Sequence, residues 1–571
     1  MKKDCSDALV WGAGKIGRGF LADIFHSNGY KVYFVDSDQT LVTKLNNQKK
    51  YTLYKLSGKD SAEKTLITNF ETFHTTQDDK IEEVMRSIDI MALVVFPNSF
   101  GETAKQLAQY ISARAKGTPE KPLDILVCTN TAHPARLLRE GLGKYLPDDT
   151  KEYFEKNVGL IECLVIRMAV QPEQKLLDED ELVVVTNGYP ELYADRTAFK
   201  GTLLNIAGIK LIENIRAEEK RKLCTYNMLH ALYAYIGKTN GYTNVYECTQ
   251  DEQVQGVAVR ALNEVTNGLI KEYGFEKEDM HVWNERVMAN MANPVLNDLL
   301  DRVGGDPIRK LKREDRLCGG ALLCRKHGLL PYYLLKAIAH GFIFQSEDDT
   351  ASHEITHHIR MYGIKAAIIK YTQLEHEPEL VQRIAELYEK ARYGKTFEDN
   401  DSEIELLKKA YHLGFMKEKT YKGCAQCTLL AMFKMLDRDD APLFQAASGL
   451  SGGMAICNDG SCGGYVGGIL LMSSLVGRKM DRMLVDGDKV DQYKSFEMAQ
   501  ALHDRYIETY GSVNCQDIHQ RIFGTSFCLR NPEEKEAFEK AGAHADKCTS
   551  VIANASAWVT EILLKAGYIK A

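Results

Sequence analysis

A lysine, an asparagine and a histidine occur close together in a segment that is predicted to be helical. Lys222, Asn227 and His230 lie in the run RKLCTYNMLH. At about 100° per residue, the three side chains fall on one side of an α-helix. A deprotonated lysine can accept the hydroxyl proton of an alcohol, and an amide can donate to the alkoxide that forms. The segment could support alcohol oxidation without a metal, or it could be a solvated helix face with one buried histidine.

Two further conditions bear on this chemistry. A lysine acts as a base near neutral pH only if burial or a neighbouring charge lowers its pKa from about 10.4. Asn130 follows an apolar run that ends at Cys128, and ligands of open parallel sheets lie beyond the carboxyl ends of the strands. Asn130 is therefore a candidate second amide donor, with a turn residue as the alternative.

A glycine-rich turn near the start of the chain has the context of a dinucleotide-binding site. It follows an apolar run, opens a helix-length segment, and precedes a second apolar run that ends at Asp36, 19 residues beyond Gly17. Helix-start amides would face the phosphates. Asp36 could accept from ribose hydroxyls and would repel a 2′-phosphate, which favours NAD over NADP. The predicted cofactor residues are Gly12, Ala13, Gly14, Lys15, Ile16, Gly17 and Asp36.

The pattern of apolar residues predicts three domains. Strand-like and helical segments alternate over roughly the first 200 residues, with continuous apolar runs at 88–96 and 123–128. The pattern is helical from about 212 to 395, and the polar stretch that follows reads as a linker. We expect an α/β Rossmann domain (1–205), a mainly α-helical substrate domain (206–395) and an all-α cysteine-rich domain (400–571).

Composition narrows the class of protein. The chain has 571 residues, 44% of them hydrophobic, and a net charge of −7. A net negative charge does not favour binding to nucleic acid or to an anionic membrane surface. No stretch of the sequence reaches the ~18 apolar residues that a membrane-spanning helix needs. The sequence predicts a cytoplasmic monomer or weak dimer with a small-molecule substrate and without nucleic-acid or membrane partners.

Cysteines are concentrated in the last third of the chain. Seven of the fourteen lie between Cys424 and Cys548. Between them is a glycine-dense stretch, in which Gly463/Gly467 and Gly464/Gly468 would let another helix approach closely. Thiols that share a reduced site could form a disulfide, hold zinc or hold an iron–sulfur cluster, and inert buried cysteines are the remaining alternative.

One further motif is set aside. His353, Glu354 and His357 form an HExxH pattern, which is typical of zinc proteases. A five-residue match arises easily by chance, and no third ligand is evident. We expect no metal in this segment.

Six motifs follow one another over about two thirds of the chain: WGAGKIGRGF, CTN (128–130), DRTAFKG (195–201), RKLCTYNMLHA (221–231), RVGGDPIRKLKREDRL (302–317) and HGFIFQSEDD (340–349). In these motifs and their order, residues 1 to about 394 resemble the polyol-specific long-chain dehydrogenases, a metal-independent family. The resemblance implies hydride transfer between NAD and a hexitol phosphate, with mannitol 1-phosphate and fructose 6-phosphate as the expected pair.

The resemblance also implies roles for individual residues. Lys222 would be the general base, Asn130 and Asn227 would stabilise the alkoxide, and His230 would bind a substrate hydroxyl. Candidates for a substrate phosphate are Arg309, Lys310 and Arg316, with a salt-bridged surface helix as the alternative.

Two departures keep the substrate open. Thr129 stands where the family usually has an acidic residue, and Gly305 where arginine is common in the phosphate-sugar enzymes. A free polyol or a sugar acid is the second interpretation of the same fold. A third treats the C-terminal module as a thiol or metal redox sensor that gates the dehydrogenase.

The C-terminal part resembles a small family of cysteine-motif proteins described as redox-active. Its pattern is one cysteine, a glycine-rich motif with a second cysteine, and two further cysteines. The matching positions are Cys424, Cys462, Cys515 and Cys548.

Overall fold

The structure is a computed structural model that describes residues 6–56, 62–129, 131, 133–203, 205–485 and 489–571. The chain forms two compact units. The first comprises Met1–Lys220 and Asn293–Asn297, and the second comprises Arg221–Ala292 and Asp298–Ala571.

The first unit alternates strands and helices, as the sequence predicts. The strands are β1 (Asp7–Trp11), β2 (Lys31–Asp36), β3 (Tyr51–Leu56), β4 (Ala62–Ile67), β5 (Phe70–His74), β6 (Ile90–Leu93), β7 (Leu123–Val127), β8 (Val158–Leu164), β9 (Ala169–Val170), β10 (Val184–Thr186), β11 (Leu192–Asp195) and β12 (Ile209–Ile212). The helices are α1 (Ala22–Ser27), α2 (Gln39–Gln48), α3 (Asp78–Ser87), α4 (Phe100–Gly117), α5 (Pro134–Gly143), α6 (Asp148–Asn157) and α7 (Gln174–Glu179), and α8 (Ile215–Lys222) leads into the second unit.

The main sheet has the strand order of a dinucleotide-binding fold. Its described strands run β5-β2-β1-β6-β7-β8, all parallel, and β11 and β12 extend it with β11 antiparallel to β8. The order reverses at β1, the place where such sheets bind ligands. A smaller sheet has the order β4-β3-β10-β9. β6 and β7 are buried throughout and β1 from its second residue onward, as is typical of central strands in a parallel sheet.

The second unit is helical, and its first part corresponds to the predicted substrate domain. A π-helical turn (Leu223–Asn227) joins α8 to the next helix. The helices that follow are α9 (Met228–Thr239), α10 (Val245–Gln250), α11 (Glu252–Tyr273), α12 (Lys277–Met291), α13 (Leu300–Gly304), α14 (Pro307–Lys310), α15 (Cys318–Lys326), α16 (Tyr332–Gly341), α17 (Thr350–Tyr362), α18 (Ile364–Thr372) and α19 (Pro378–Arg392).

The remaining helices form the cysteine-rich part of this unit. They are α20 (Asp401–Tyr421), α21 (Cys424–Leu436), α22 (Ala441–Ala446), α23 (Gly463–Val476), α24 (Met480–Val485), α25 (Val490–Tyr510), α26 (Cys515–Phe523), α27 (Pro532–Lys540) and α28 (Cys548–Lys565). The predicted linker is short and anchored. The Asp399 carboxylate pairs with Lys336 at 2.5 Å, and Asp401 accepts a 2.6 Å hydrogen bond from the Tyr333 hydroxyl.

The glycine pairs of α23 allow close packing against two neighbouring helices, α21 and α25. A Cβ at Gly467 would lie 2.6 Å from the Ala425 carbonyl oxygen of α21, whereas one at Gly464 would lie 2.7 Å from the Tyr506 hydroxyl of α25. The two stripes therefore let α23 approach helices on two sides, which confirms the predicted close packing.

Candidate functional site

The glycine turn has the geometry of a dinucleotide-binding loop. Gly12 has φ +106°, and a Cβ there would lie 2.1 Å from the Val94 carbonyl oxygen. A Cβ at Gly17 would lie 1.9 Å from the Gly12 carbonyl oxygen. Around Gly14 there is open space for a Cβ. The first and third glycines are thus required by the protein's own packing, while the second leaves the backbone accessible to a ligand.

Asp36 closes this turn at the carboxyl end of β2. Its Oδ2 accepts a 2.7 Å hydrogen bond from the Ala13 amide, and its Oδ1 accepts one of 2.9 Å from the Asp38 amide. The exposed Lys15 side chain donates to Gln171 at 2.7 Å. The predicted carboxylate therefore lies directly against the glycine turn, at the switch point of the sheet.

Lys222, Asn227 and His230 are arranged around a π-helical turn that the sequence pattern did not predict. The Met228 amide donates to the Leu223 carbonyl, five residues earlier, which inserts one residue into the turn. That insertion rotates the following residues back by about 100°. Relative to Lys222, Asn227 moves from about 140° to about 40° and His230 from about 80° to about −20°. The three side chains are therefore better aligned than in a continuous α-helix.

Aromatic and cationic side chains hold the π-turn in place. The Trp283 indole of α12 donates to the Thr225 hydroxyl at 2.9 Å, and its ring meets the Tyr226 ring edge-on at 5.5 Å. The Arg221 guanidinium lies 3.9 Å from the centre of the Trp283 ring. Arg221, Thr225 and Tyr226 are buried, whereas Lys222, Asn227 and His230 are half-buried. This alternation leaves the three candidate residues on the accessible side.

Asp298 is a partner of His230 that the sequence did not indicate. The His230 Nε2 lies 3.1 Å from the Asp298 Oδ2, and Arg302 bonds the other carboxylate oxygen. Burial raises the pKa of Asp298, but the hydrogen bond and charge of His230, with Arg302, outweigh it and hold the pKa below its usual value. The histidine and the carboxylate are 68 residues apart, so no local motif could connect them.

The three basic residues proposed for a phosphate have different environments. Arg309 is exposed, and its Nε lies 3.0 Å from the Asp306 carboxylate. Arg316 Nε donates to Asp315 at 2.7 Å, and its Nη1 lies 3.5 Å from the Asn227 carbonyl oxygen. This contact places Arg316 beside the π-turn.

Lys310 differs from both arginines because it is buried. Its ammonium bonds the carbonyl oxygens of Val303, at 2.7 Å, and Gly305. Burial, with the charges of Arg316 and Arg309, lowers the pKa of Lys310 to about 8. Lys310 therefore caps the C-terminal end of α13 and is not directed at the accessible side.

Asn130 lies outside the described residues. His353, Glu354 and His357 are exposed on α17, where Glu354 accepts a 2.9 Å hydrogen bond from the Tyr371 hydroxyl. Across the described part of the chain, no three His, Cys, Asp or Glu side chains are placed to hold one metal ion. None of the helices in that part combines the length and apolar character needed to cross a membrane.

Three of the four cysteines of the C-terminal pattern lie at helix N-termini, whereas Cys548 follows the π-helical turn Ala543–Lys547 without a break. Cys424, Cys515 and Cys548 are the first residues of α21, α26 and α28, and Cys462 is the N-cap of α23. Burial, with the charges of neighbouring groups, raises the pKa of the Cys424 thiol to about 12 and those of the other three above their usual value. In the unliganded chain these are therefore neutral thiols at neutral pH.

Comparison with known families accounts for most of the chain. Residues 6–208 match the mannitol dehydrogenase Rossmann domain and residues 214–410 the mannitol dehydrogenase C-terminal domain. Residues 423–562 match the family described as "Putative redox-active protein (C_GCAxxG_C_C)". The division into three domains at the boundaries predicted above stays a prediction.

Curated relatives and solved structures agree with these matches. The chain is 32% identical over 383 residues to the mannitol-1-phosphate 5-dehydrogenase of Caldanaerobacter subterraneus subsp. tengcongensis, covering 67% of this chain and 97% of that protein. It is 29% identical to the enzyme of the same name from Thermoanaerobacter pseudethanolicus, covering 67% and 98%.

The fold is shared with a D-sorbitol dehydrogenase, with TM-score 0.59, 13% identity and coverage of 68% and 93%. It is also shared with Pseudomonas fluorescens mannitol 2-dehydrogenase, with TM-score 0.53, 15% identity and coverage of 69% and 93%. With the sheet order, the glycine turn and the two matched domains, these similarities show that the chain belongs to the mannitol dehydrogenase family of oxidoreductases.

Proposed function

We propose that this oxidoreductase uses NAD to interconvert a hexitol phosphate and a ketose phosphate, with mannitol 1-phosphate and fructose 6-phosphate as the pair. The observation that carries the proposal is the π-turn at Leu223–Asn227, which by helix geometry turns the positions of Lys222, Asn227 and His230 toward one side. The similarity to two mannitol-1-phosphate 5-dehydrogenases supports the substrate.

The cofactor fits the glycine turn. Gly14 leaves room for a pyrophosphate, and the Asp36 carboxylate beside Ala13 suits ribose hydroxyls while disfavouring a 2′-phosphate. NAD, which the mannitol 2-dehydrogenase structure contains, supplies the hydride acceptor. Side chains of the protein accept the hydroxyl proton of the substrate and stabilise the negative charge that develops on its oxygen.

Each residue of the trio has a distinct task. Lys222 Nζ, in its neutral form, accepts the proton of the reacting hydroxyl. The Asn227 amide, joined by that of Asn130, donates to the alkoxide oxygen as negative charge develops. His230 donates its Nε2 proton to Asp298, which leaves the lone pair of Nδ1 to accept from a neighbouring substrate hydroxyl.

Arg316 and Arg309 are the proposed phosphate ligands. Arg316 lies against the carbonyl of Asn227. A phosphate group bound by Arg316 would therefore lie near Asn227. Both arginines are paired with aspartates, and a phosphate would have to replace those partners. Because a phosphate would compete with these aspartates for the arginines, a free polyol or a sugar acid is the second candidate substrate.

A kinetic comparison tests the proposal. We expect NADH oxidation with fructose 6-phosphate to exceed that with fructose, and NADPH to replace NADH poorly. Lys222→Ala should lower kcat by a factor on the order of 10²–10⁴. Lys238→Ala is the matched control, because Lys238 lies on α9 and pairs with Asp301 at the surface.

The outcomes separate substrate from mechanism. Arg316→Ala and Arg309→Ala should raise KM for fructose 6-phosphate without changing KM for fructose. Equal activity on both sugars would reject the phosphate substrate but keep the trio. Turnover that survives Lys222→Ala would reject the mechanism.

A further inference from the structure

A phenylalanine of the first unit is exposed to solvent at the edge of the sheet that carries the glycine turn. Phe96 is 80% exposed, the largest exposure of any large apolar side chain among the described residues. It comes three residues after β6 ends at Leu93. A single exposed apolar side chain is ordinary at a protein surface, so its position decides whether Phe96 has a role.

Phe96 is close in the chain to a tight contact with the glycine turn. β6 lies beside β1 in the parallel sheet. Val94, the residue after β6, lies against the first glycine of the turn, because a Cβ at Gly12 would be 2.1 Å from the Val94 carbonyl oxygen. Gly14 lies two residues after Gly12, and Phe96 lies two residues after Val94. The open backbone at Gly14 and the exposed ring of Phe96 therefore flank one close contact between two loops.

The crevice beside this contact is where an open α/β sheet binds a dinucleotide. The strand order reverses at β1, so the loops after β1, β2 and β6 border the same crevice. Asp36 ends β2 on one side of the turn, and Phe96 follows β6 on the other side. A dinucleotide with one ribose at Asp36 and its pyrophosphate at the turn continues toward β6. Its second ribose then reaches the loop that carries Phe96.

The backbone around Phe96 is fixed on both sides. The hydroxyl of the buried Thr129 donates to the Val95 carbonyl oxygen at 2.9 Å, and the Ser99 amide donates to the Phe96 carbonyl oxygen at 2.9 Å. Pro97 opens a short 3₁₀ turn (Pro97–Ser99), and a residue before proline is restricted to extended conformations, as Phe96 is, with ψ 150°. The exposed ring therefore projects from a held backbone, with its own side-chain torsions free.

We propose that Phe96 is a cofactor-binding residue whose ring packs against the ribose–pyrophosphate part of the dinucleotide, an inference that rests on the proposed use of NAD. A phenyl ring has no hydrogen-bonding group, so it would contact the C–H face of the second ribose. Covering the ring removes apolar surface from water. It also excludes water from beside the pyrophosphate, which strengthens the hydrogen bonds between the turn amides and the phosphates.

Phe96 and Asp36 then have separate tasks in cofactor binding. The Asp36 carboxylate, which bonds the Ala13 and Asp38 amides, distinguishes free ribose hydroxyls from a 2′-phosphate. The uncharged ring of Phe96 contributes to the affinity for NADH and NADPH alike. Loss of the ring should therefore weaken binding of both cofactors by the same factor and leave their ratio of affinities unchanged.

Equilibrium binding to the full chain, without a sugar substrate, tests this inference. NADH is titrated by its fluorescence, and ADP-ribose and AMP are measured by displacement of NADH. Phe96→Ala should raise the Kd of NADH and of ADP-ribose by a factor on the order of ten, because both contain the pyrophosphate and the second ribose. The Kd of AMP, which lacks both groups, should stay the same.

Matched variants separate cofactor contact from a structural role. Tyr145→Ala is the control, because Tyr145 is an aromatic residue, 45% exposed, between α5 and α6. It should leave all three affinities unchanged. Phe96→Tyr should bind as the wild-type protein does, since it keeps the ring. Phe96→Ala should leave the melting temperature of the free protein unchanged but reduce the rise that NADH causes.

Three results would overturn the inference. Unchanged affinity for NADH and ADP-ribose in Phe96→Ala would show that the ring does not touch the cofactor. A loss confined to NADH would place the ring against the nicotinamide, and an equal loss for AMP would show a disturbed adenosine site.

These measurements do not depend on turnover of a sugar. Lys222→Ala should bind ADP-ribose as the wild-type protein does, so a failure of the proposed substrate or base leaves the role of Phe96 testable. Conversely, unchanged ADP-ribose binding in Phe96→Ala would leave the Lys222 chemistry intact. The failure of either proposal can therefore be recognised without the other.

Discussion

At the scale of single residues, His230, the histidine of the proposed site, is bonded to a carboxylate from a distant part of the chain. Asp298 is 8% exposed and bonds both His230 and Arg302. Its carboxylate can accept a hydrogen bond from the Nε2–H group of His230, which leaves Nδ1 as the nitrogen that faces a substrate hydroxyl in the proposed mechanism. We therefore expect Asp298 to act through His230 as a positioning residue.

Asp298→Asn should lower kcat/KM by a factor on the order of 10–100, since a misoriented ring loses substrate alignment. The folded-state pKa of Asp298 lies below its unfolded value of about 3.9. Its ion pairs therefore stabilise the fold above that value and are lost as the pH falls through the folded-state pKa. The variant should reduce this acid-dependent part of the free energy of unfolding.

Urea unfolding at several pH values, together with steady-state kinetics, checks this prediction. Asp301→Asn is the control, because Asp301 is half-exposed and pairs with Lys238 on the surface. If both variants behave alike, Asp298 has no special role in positioning His230.

Residue type and spacing predicted some of these features and not others. Gly12, Gly17 and Asp36 were recognisable because strand, turn and helix are consecutive in the chain. The common side of Lys222, Asn227 and His230 followed from helical periodicity, but the π-turn, which packs against Trp283, did not. Trp283 and Asp298 contact the segment across long sequence separations, for which periodicity has no signal.

At the scale of helices, the packing of α23 explains why its glycines are needed. Gly463 and Gly467 face α21, and Gly464 and Gly468 face α25 and α28. A glycine inside a helix lowers helix stability by about 1 kcal/mol relative to alanine. The close packing of α21, α25 and α28 against α23 therefore has to compensate for four destabilising glycines. The sequence predicted the close approach, but not which helices would meet.

Gly467→Ala should therefore destabilise the protein even though alanine favours helix. The added Cβ would lie 2.6 Å from the backbone oxygen of Ala425, and overpacking of this kind costs about 1–3 kcal/mol. Gly101→Ala on α4 is the matched control, since nothing lies within 4 Å of its added Cβ. Thermal unfolding should show a loss for the first variant and no loss for the second; equal effects would contradict the packing argument.

At the scale of the whole chain, buried ion pairs join the dehydrogenase helices to the cysteine-rich helices within the second unit. Arg325 of α15 is 1% exposed and bonds Glu379 at 2.9 Å and Asp546 at 2.9 Å. Asp546 lies in the π-helical turn Ala543–Lys547, directly before Cys548. Lys547 of the same turn lies 3.5 Å from Glu377. Residues of the region that matches the mannitol dehydrogenase C-terminal domain thus hold the turn that leads into Cys548.

This connection predicts that the two parts unfold together. Arg325→Met leaves two carboxylates without their cation, and breaking a buried pair in this way costs about 3–5 kcal/mol. We expect a lower melting temperature for the whole second unit, and faster hydrogen exchange in both α15 and the first turn of α28. Lys565→Met should change little, because its pair with Glu561 is on the surface. Faster exchange confined to α28 would show that the fusion joins two independent modules, whereas a shared response means that the cysteine-rich helices contribute to the stability of the dehydrogenase helices.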